Sequence, residues 1–141
     1  MKKIVYICLF TLLLLSCEKD RVRNVNPFLP DYSFSITINT DLPMFSALNF
    51  SVQPMYINQE GAGIRGIFVM KVSDTDFRAF DAACPSQTLS ECSTMTIEGL
   101  EAKCNCEGNK YSLFTGVGTG QYTMKQYRVE VFNPTNIRVY N

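Results

Sequence analysis

No histidine and no tryptophan occur among the chain's 141 residues. Without histidine, and with no nucleophile set beside another base, hydrolase triads have nothing to stand on. Ten Phe and seven Tyr without a single Trp are the filling of a modest core, with any exposed aromatic patch unspecified. An excess of charge is missing too: 13 Lys+Arg stand against 13 Asp+Glu. Residues 1–16 hold two of the lysines and no acid, so without them 11 basic groups face 13 acidic ones, a net charge near −2. That is no footprint for nucleic acid or for an anionic membrane surface. No amphipathic helix of useful length can be drawn past residue 31.

What is present begins with an address. Lys2 and Lys3 precede an apolar run, Ile4 to Leu15, and Ser16-Cys17 follows at once. About a dozen apolar residues are too few to span a bilayer and read as a signal-peptide core, here residues 1–16. Leu14-Leu15-Ser16-Cys17 resembles the bacterial lipobox, which implies lipidation of Cys17 and loss of Cys8 with the cleaved peptide. Acyl chains at Cys17 would supply the membrane attachment, at about 0.8 kcal/mol per buried CH₂. The expected location is the bacterial cell envelope, at the outer membrane, with the membrane as one partner and an envelope protein or ligand as another. That compartment is oxidising, so Cys84, Cys92, Cys104 and Cys106 are expected as disulfides unless a metal claims them.

The length accommodates one domain besides the export segment. Residues 17–30 are polar and charged, carry Asn26-Pro27 and Leu29-Pro30, and read as an extended, poorly ordered tether. Residues 31–141 are the domain. Tyr32, Phe34, Ile36 and Ile38 alternate with polar residues, the mark of a strand with one buried face. Residues 44–62 are expected as loop with one strand around Met55–Ile57, although helical spacing can be drawn through Phe45 and Leu48. Ile67 to Val72 is a strand-length apolar run, turned by Ser73-Asp74-Thr75-Asp76 into Phe77 to Asp81. Met95 and Ile97, then Leu100 and Ala102, flank the turn at Glu98-Gly99. Tyr111 to Phe114, Tyr127 to Val131 and Ile137 to Val139 complete the strands. Short strands separated by turns give an all-β fold, a small antiparallel sandwich or barrel with two cysteine-bearing loops.

The order of these pieces resembles the Rieske iron–sulfur domain over roughly residues 63–141. Phe77-Arg78-Ala79-Phe80-Asp81-Ala82-Ala83-Cys84-Pro85 is similar to the strand entering that family's first cluster loop. Cys104-Asn105-Cys106-Glu107-Gly108 followed by Tyr111-Ser112-Leu113 is similar to the second, and Met124 to Val131 with Asn136 to Val139 to its closing hairpin. A Rieske cluster takes two cysteines on one iron and two histidines on the other. The family's loops read Cys-x-His and Cys-x-x-His, so the resemblance puts the cluster-equivalent positions at Cys84, Ser86, Cys104 and Glu107. Both histidine positions are substituted. Cys92 and Cys106 match the disulfide that braces the family's loops, and the family's Gly-Pro loop falls at Gly120-Gln121, without its proline.

A serine hydroxyl holds its proton too tightly to ligate iron at neutral pH, and Glu107 would be a hard anionic donor in place of neutral imidazole. The expectation is therefore a domain without a cluster, with disulfides Cys84–Cys104 and Cys92–Cys106. The pairing Cys84–Cys106 with Cys92–Cys104 stays open. The implied role is a non-enzymatic binding or structural module with no cofactor and no metal. The alternative is a redox protein using a [2Fe–2S] cluster, another non-standard metal centre, or thiol chemistry between Cys84 and Gly108. Four-cysteine iron or zinc sites use the same residues but suit an oxidising compartment poorly.

Other patterns have plainer readings. Gly116-Val117-Gly118-Thr119-Gly120 lacks the lysine and following helix of a phosphate loop and reads as a flexible turn. Asp74/Asp76 and Glu98/Glu101 lie in or beside turns, where solvated charges are expected. Cys104 and Cys106 are one residue apart, not the two of thiol oxidoreductases.

Overall fold

A computed structural model describes residues 26–31 and 33–141. The expected signal peptide, Cys17, Tyr32 and the tether up to residue 25 lie outside the described residues. Within them the chain is all-β, as the turn-separated alternation requires. Strands β1 (Ser35–Asn39), β2 (Pro54–Ile57), β3 (Ile67–Lys71), β4 (Phe77–Asp81), β8 (Gln126–Asn133) and β9 (Asn136–Tyr140) form one antiparallel sheet. Its order is β1-β9-β8-β4-β3-β2, and it curls as a half-barrel. Strands β5 (Thr96–Glu98), β6 (Glu101–Lys103) and β7 (Lys110–Ser112) form a second, three-stranded sheet.

Two cores explain the sequence pattern. Inside the large sheet, Ile38, Phe45, Leu48, Ile57, Ile67, Val69, Phe77, Ala79, Ile137 and Val139 pack together. Between the sheets, Phe68, Met70, Phe80, Met95, Tyr111, Leu113 and Met124 pack around Cys84 and Cys104. Strand β3 therefore sends Ile67 and Val69 to one core and Phe68 and Met70 to the other. A strand buried on both faces has no polar side to show, which is why it reads as an unbroken apolar run. Strand β1 keeps one face in the core, with Ile38 fully buried and Ile36 and Phe34 packed at its margin.

Two expectations are corrected. Residues Pro43–Asn49, expected as loop, form a 3-10 helix that buries Phe45 and Leu48. Three residues complete a 3-10 turn, so a pair at that spacing shares one face without the longer periodicity of an α-helix. The second correction is to the tether. Its last residues, 26–30, are packed on the domain: Leu29 is buried, and the Phe28 ring meets that of Tyr122 edge-on at 5.8 Å. Asn26 Nδ2 donates to Pro85 O at 2.6 Å, and its Oδ1 accepts from Phe28 N at 2.9 Å. Lys125 Nζ donates to Pro30 O (3.1 Å) and pairs with Asp31 (2.7 Å). Polar composition hid this docking, because the contacts are made by one turn and two apolar side chains.

Candidate functional site at the two cysteine loops

Both cysteine loops leave the same end of the fold. The first follows β4 and is closed by its own backbone, with Cys84 N donating to Ser93 O at 2.7 Å and Met95 N to Ala82 O at 2.7 Å. Ser93 is fully buried and its hydroxyl satisfies the loop interior. It accepts from Ser90 N (2.7 Å) and Gln87 Nε2 (3.0 Å). The second loop joins β6 to β7 and is a tight turn, Cys104 N to Asn109 O at 2.8 Å and Gly108 N to Cys104 O at 2.9 Å. Asn105 ties it to the first loop, its Nδ2 donating to Thr94 O at 2.8 Å while its Oδ1 accepts from Thr96 Oγ1 at 3.2 Å.

The structure joins Cys84 to Cys104 and Cys92 to Cys106, with Cα separations of 5.5 and 5.3 Å. The first bridge is inside the protein, each cysteine 1% exposed, whereas both cysteines of the second are exposed. Gln87 lies between them. Its Nε2 donates to Cys106 Sγ at 2.8 Å and its Oε1 lies 3.3 Å from Cys104 Sγ.

The two histidine-equivalent residues are placed differently. Ser86 points inward, where its Oγ accepts from Tyr122 N at 3.0 Å and lies 3.2 Å from Tyr111 Oη. Gly120 lies directly over that pair. A Cβ there would stand 2.0 Å from Tyr111 Oη and 2.5 Å from Ser86 Oγ. Burial pushes the Tyr111 hydroxyl above the usual phenol range, opposed by its bond to Ser86, with the Glu107 charge adding to the rise. Glu107 itself is exposed and accepts from Asn109 Nδ2 at 2.9 Å.

This donor set does not fit a Rieske cluster. Both ligand-equivalent sulfurs are bonded to each other, the Ser86 oxygen is engaged by Tyr111 and Tyr122, and no imidazole exists in the chain. Among the described residues no three of Cys, Asp and Glu stand together as a metal-holding group. Gly120→Ala is expected to lower stability by about 1–3 kcal/mol, the usual penalty for overpacking, since its methyl must displace the Ser86–Tyr111 pair. Urea unfolding of the variant reads this directly.

Beneath the same end runs the buried carboxylate of Asp81, 0% exposed. It accepts from Tyr127 Oη (2.6 Å), Ile64 N (2.6 Å), Ala83 N (2.7 Å) and Arg65 N (3.4 Å). The strand into the first loop is thereby fixed to the 61–66 loop and to β8. Gly63 permits the approach: its φ is +66° and a Cβ would stand 2.6 Å from Asp81 Oδ2. An open groove of about 440 Å³ is lined by Tyr56, Phe68, Met95 and Ile97 together with Glu91 and Asn105.

The remaining patterns settle as charges and turns. Asp74 pairs with Lys71 at 2.8 Å, and Asp76 with Arg78. Glu98 meets Lys103 at 3.2 Å and Lys110 at 2.9 Å. Hydrogen bonds from these lysines hold Asp74 and Glu98 below the usual carboxylate range, the opposite of what a general acid needs. The glycine turn at 116–120 is pinned rather than loose: Ser112 N donates to Val117 O at 2.9 Å and Thr119 N to Lys110 O at 3.0 Å. Gln87, Tyr111 and Tyr122 were not singled out by sequence. Tyr111 carried only a strand signal, and neither Gln87 nor Tyr122 belongs to any motif.

All-β topology and two disulfide-joined loops thus define the class of this domain. No family model matches the chain, and no curated protein matches it significantly. Among solved structures it is similar to a chain in the complex of reduced oxygenase and oxidized ferredoxin in carbazole 1,9a-dioxygenase. The identity there is 20%, over 76% of this chain and 91% of that one, with a TM-score of 0.46. It is similar also to the ferredoxin of carbazole 1,9a-dioxygenase from Nocardioides aromaticivorans, at 17% identity over 75% and 96% of the two chains (TM-score 0.45). A third similar chain, from Mycobacterium tuberculosis, has been proposed as an NADH-dependent nitrite reductase small subunit; it is 13% identical over 79% and 97% (TM-score 0.46).

Proposed function

We propose that the chain is an envelope lipoprotein, anchored through Cys17, whose Rieske-like domain works as a binding or structural module and not as an electron carrier. The observation that carries this reading is the fate of the four cluster-equivalent positions. Cys84 and Cys104 are spent on each other, Ser86 is locked under Gly120 by Tyr111, and Glu107 faces solvent. A metal site retained for electron transfer keeps its donors free and convergent; this one has turned them into structure. The hydrogen bond from Asn26 to Pro85 O puts Asn26, nine residues after Cys17 in sequence, at the cysteine-loop end. The anchor then draws that end toward the membrane.

The test takes the protein from the envelope of cells expressing the full chain. The mature protein is expected to be colourless, with iron and sulfide far below one per chain, and to carry labelled palmitate that Cys17→Ser abolishes. Visible absorbance with about two iron and two sulfide per chain, the content of a [2Fe–2S] centre, would overturn the cluster-free reading. Palmitate labelling that survives Cys17→Ser would overturn the anchor.

A further inference from the structure

The outer disulfide differs from the inner one in access and in its polar surroundings. Cys84 and Cys104 are 1% exposed within the second core, so no external thiol reaches them without opening the fold. Cys92 and Cys106 are exposed. Around that outer bridge the hydrogen-bond donors are unevenly shared. Gln87 Nε2 stands 2.8 Å from Cys106 Sγ, and the Ser90 hydroxyl lies 3.4 Å from Cys92 Sγ and 3.7 Å from Cys106 Sγ. Gln87 is itself held in place, since the same Nε2 donates to the buried Ser93 hydroxyl at 3.0 Å. A thiolate forming on Cys106 therefore meets a positioned amide N–H, and one forming on Cys92 does not.

We propose that Cys92–Cys106 is a thiol–disulfide exchange site for small thiols, in which the incoming thiolate attacks Cys92 and Cys106 is the leaving group. The attacking sulfur bonds to Cys92 Sγ, the Cys92–Cys106 bond breaks, and its electron pair departs on Cys106 Sγ toward the Gln87 amide. With a dithiol the second thiolate then attacks the sulfur now joined to Cys92. The dithiol closes to its cyclic disulfide, and Cys92 and Cys106 end as thiols holding its two electrons and two protons. Exchange of this kind runs faster the better the leaving thiolate is stabilised. Cys84–Cys104 takes no part and keeps the loops together while the outer bridge is open. The proposal goes beyond the binding-module reading and does not depend on it, because it concerns the bridge that is not ligand-equivalent.

The test begins with the folded protein and limiting dithiothreitol, followed by acid quench, alkylation and peptide mapping. Cys92 and Cys106 are expected to label at least ~10-fold faster than Cys84 and Cys104, as burial of a sulfur governs access. With glutathione and iodoacetamide together, the glutathione adduct is expected on Cys92 and the alkyl group on Cys106. Gln87→Ala keeps both bridges and is expected to slow opening several-fold. In a Cys92→Ser background, removing Gln87 should also move the pH profile of Cys106 alkylation to higher pH, because the amide N–H that faces Cys106 Sγ is lost. Equal opening of both bridges, glutathione caught chiefly on Cys106, or no effect of Gln87→Ala on rate and titration would each overturn the proposal.

Discussion

Replacing Cys84 and Cys104 together by alanine is expected to remove about 5 kcal/mol of unfolding free energy, against about 3 kcal/mol for Cys92 and Cys106. The loops closed by the two bridges differ little, with sequence separations of 20 and 14. Chain-entropy arguments give about 3 kcal/mol for either, so loop length does not separate them. Burial does. The inner sulfurs are packed among Phe80, Met95, Leu113 and Met124, and deleting each leaves a small cavity worth about 1 kcal/mol. The outer sulfurs face solvent and leave none. Serine at the inner positions is expected to be worse than alanine by a further ~1–3 kcal/mol, because it buries a hydroxyl without an assigned partner. Denaturant unfolding of the two double variants decides the matter, and equal losses would show that the inner bridge is not part of the core. A domain of this size has a net stability of about 5–15 kcal/mol, so the inner variant is expected to be marginal.

Asp81→Asn is the second large effect, expected at about 3 kcal/mol. The carboxylate accepts from four donors and donates to none. An amide keeps one acceptor and turns its N–H₂ toward groups that are themselves donors, leaving at least one buried N–H or O–H unmatched. Tyr127→Phe removes one donor only and is expected to cost about 1.5–3 kcal/mol, the range for a bond to a charged group. Burial pushes the Asp81 carboxyl above the ordinary carboxylate value, with the bonds from Ile64, Tyr127, Ala83 and Arg65 pulling it back. The sign of the pH dependence follows. A native state that holds the proton more tightly than the unfolded chain gains stability from this group in full below about pH 3.9, its unfolded value. That contribution is lost as pH rises through the higher folded value. Wild-type stability measured relative to Asp81→Asn is therefore expected to fall with rising pH across that window. A difference that grows with pH would contradict the assignment.

The parts of the fold legible in the sequence were those set by burial. Alternation marked strands with one face in a core, and the run from Ile67 to Met70 marked a strand that serves two cores. Residues 43–49 were not legible, because Phe45 and Leu48 fit a turn of helix too short to establish a period. Nor was the docking of residues 26–31, where a polar stretch is fixed by the Asn26 turn and by Phe28 and Leu29, too few apolar residues to stand out. At the site, the cysteine positions and both absent histidines could be read directly. Spacing alone left the partner of each sulfur open, since four cysteines allow three connectivities; the resemblance implied Cys84–Cys104 and Cys92–Cys106, the pairing the structure has. What Ser86 does instead of ligating was also hidden. Its bond to Tyr111 and the closure by Gly120 depend on β7 and the 116–120 turn being brought over the first loop, a long-range packing event that no local pattern records.

The proposed cluster-free role rests on Cys84 and Cys104, the ligand positions of the Rieske resemblance, being bonded to one another. Peptide mapping of the unreduced, alkylated mature protein tests it most directly. The expected result is a Cys84 peptide linked to a Cys104 peptide, a Cys92 peptide linked to a Cys106 peptide, and no alkylated cysteine among the four. Alkylated Cys84 and Cys104, released with iron and sulfide when the protein is unfolded, would contradict it.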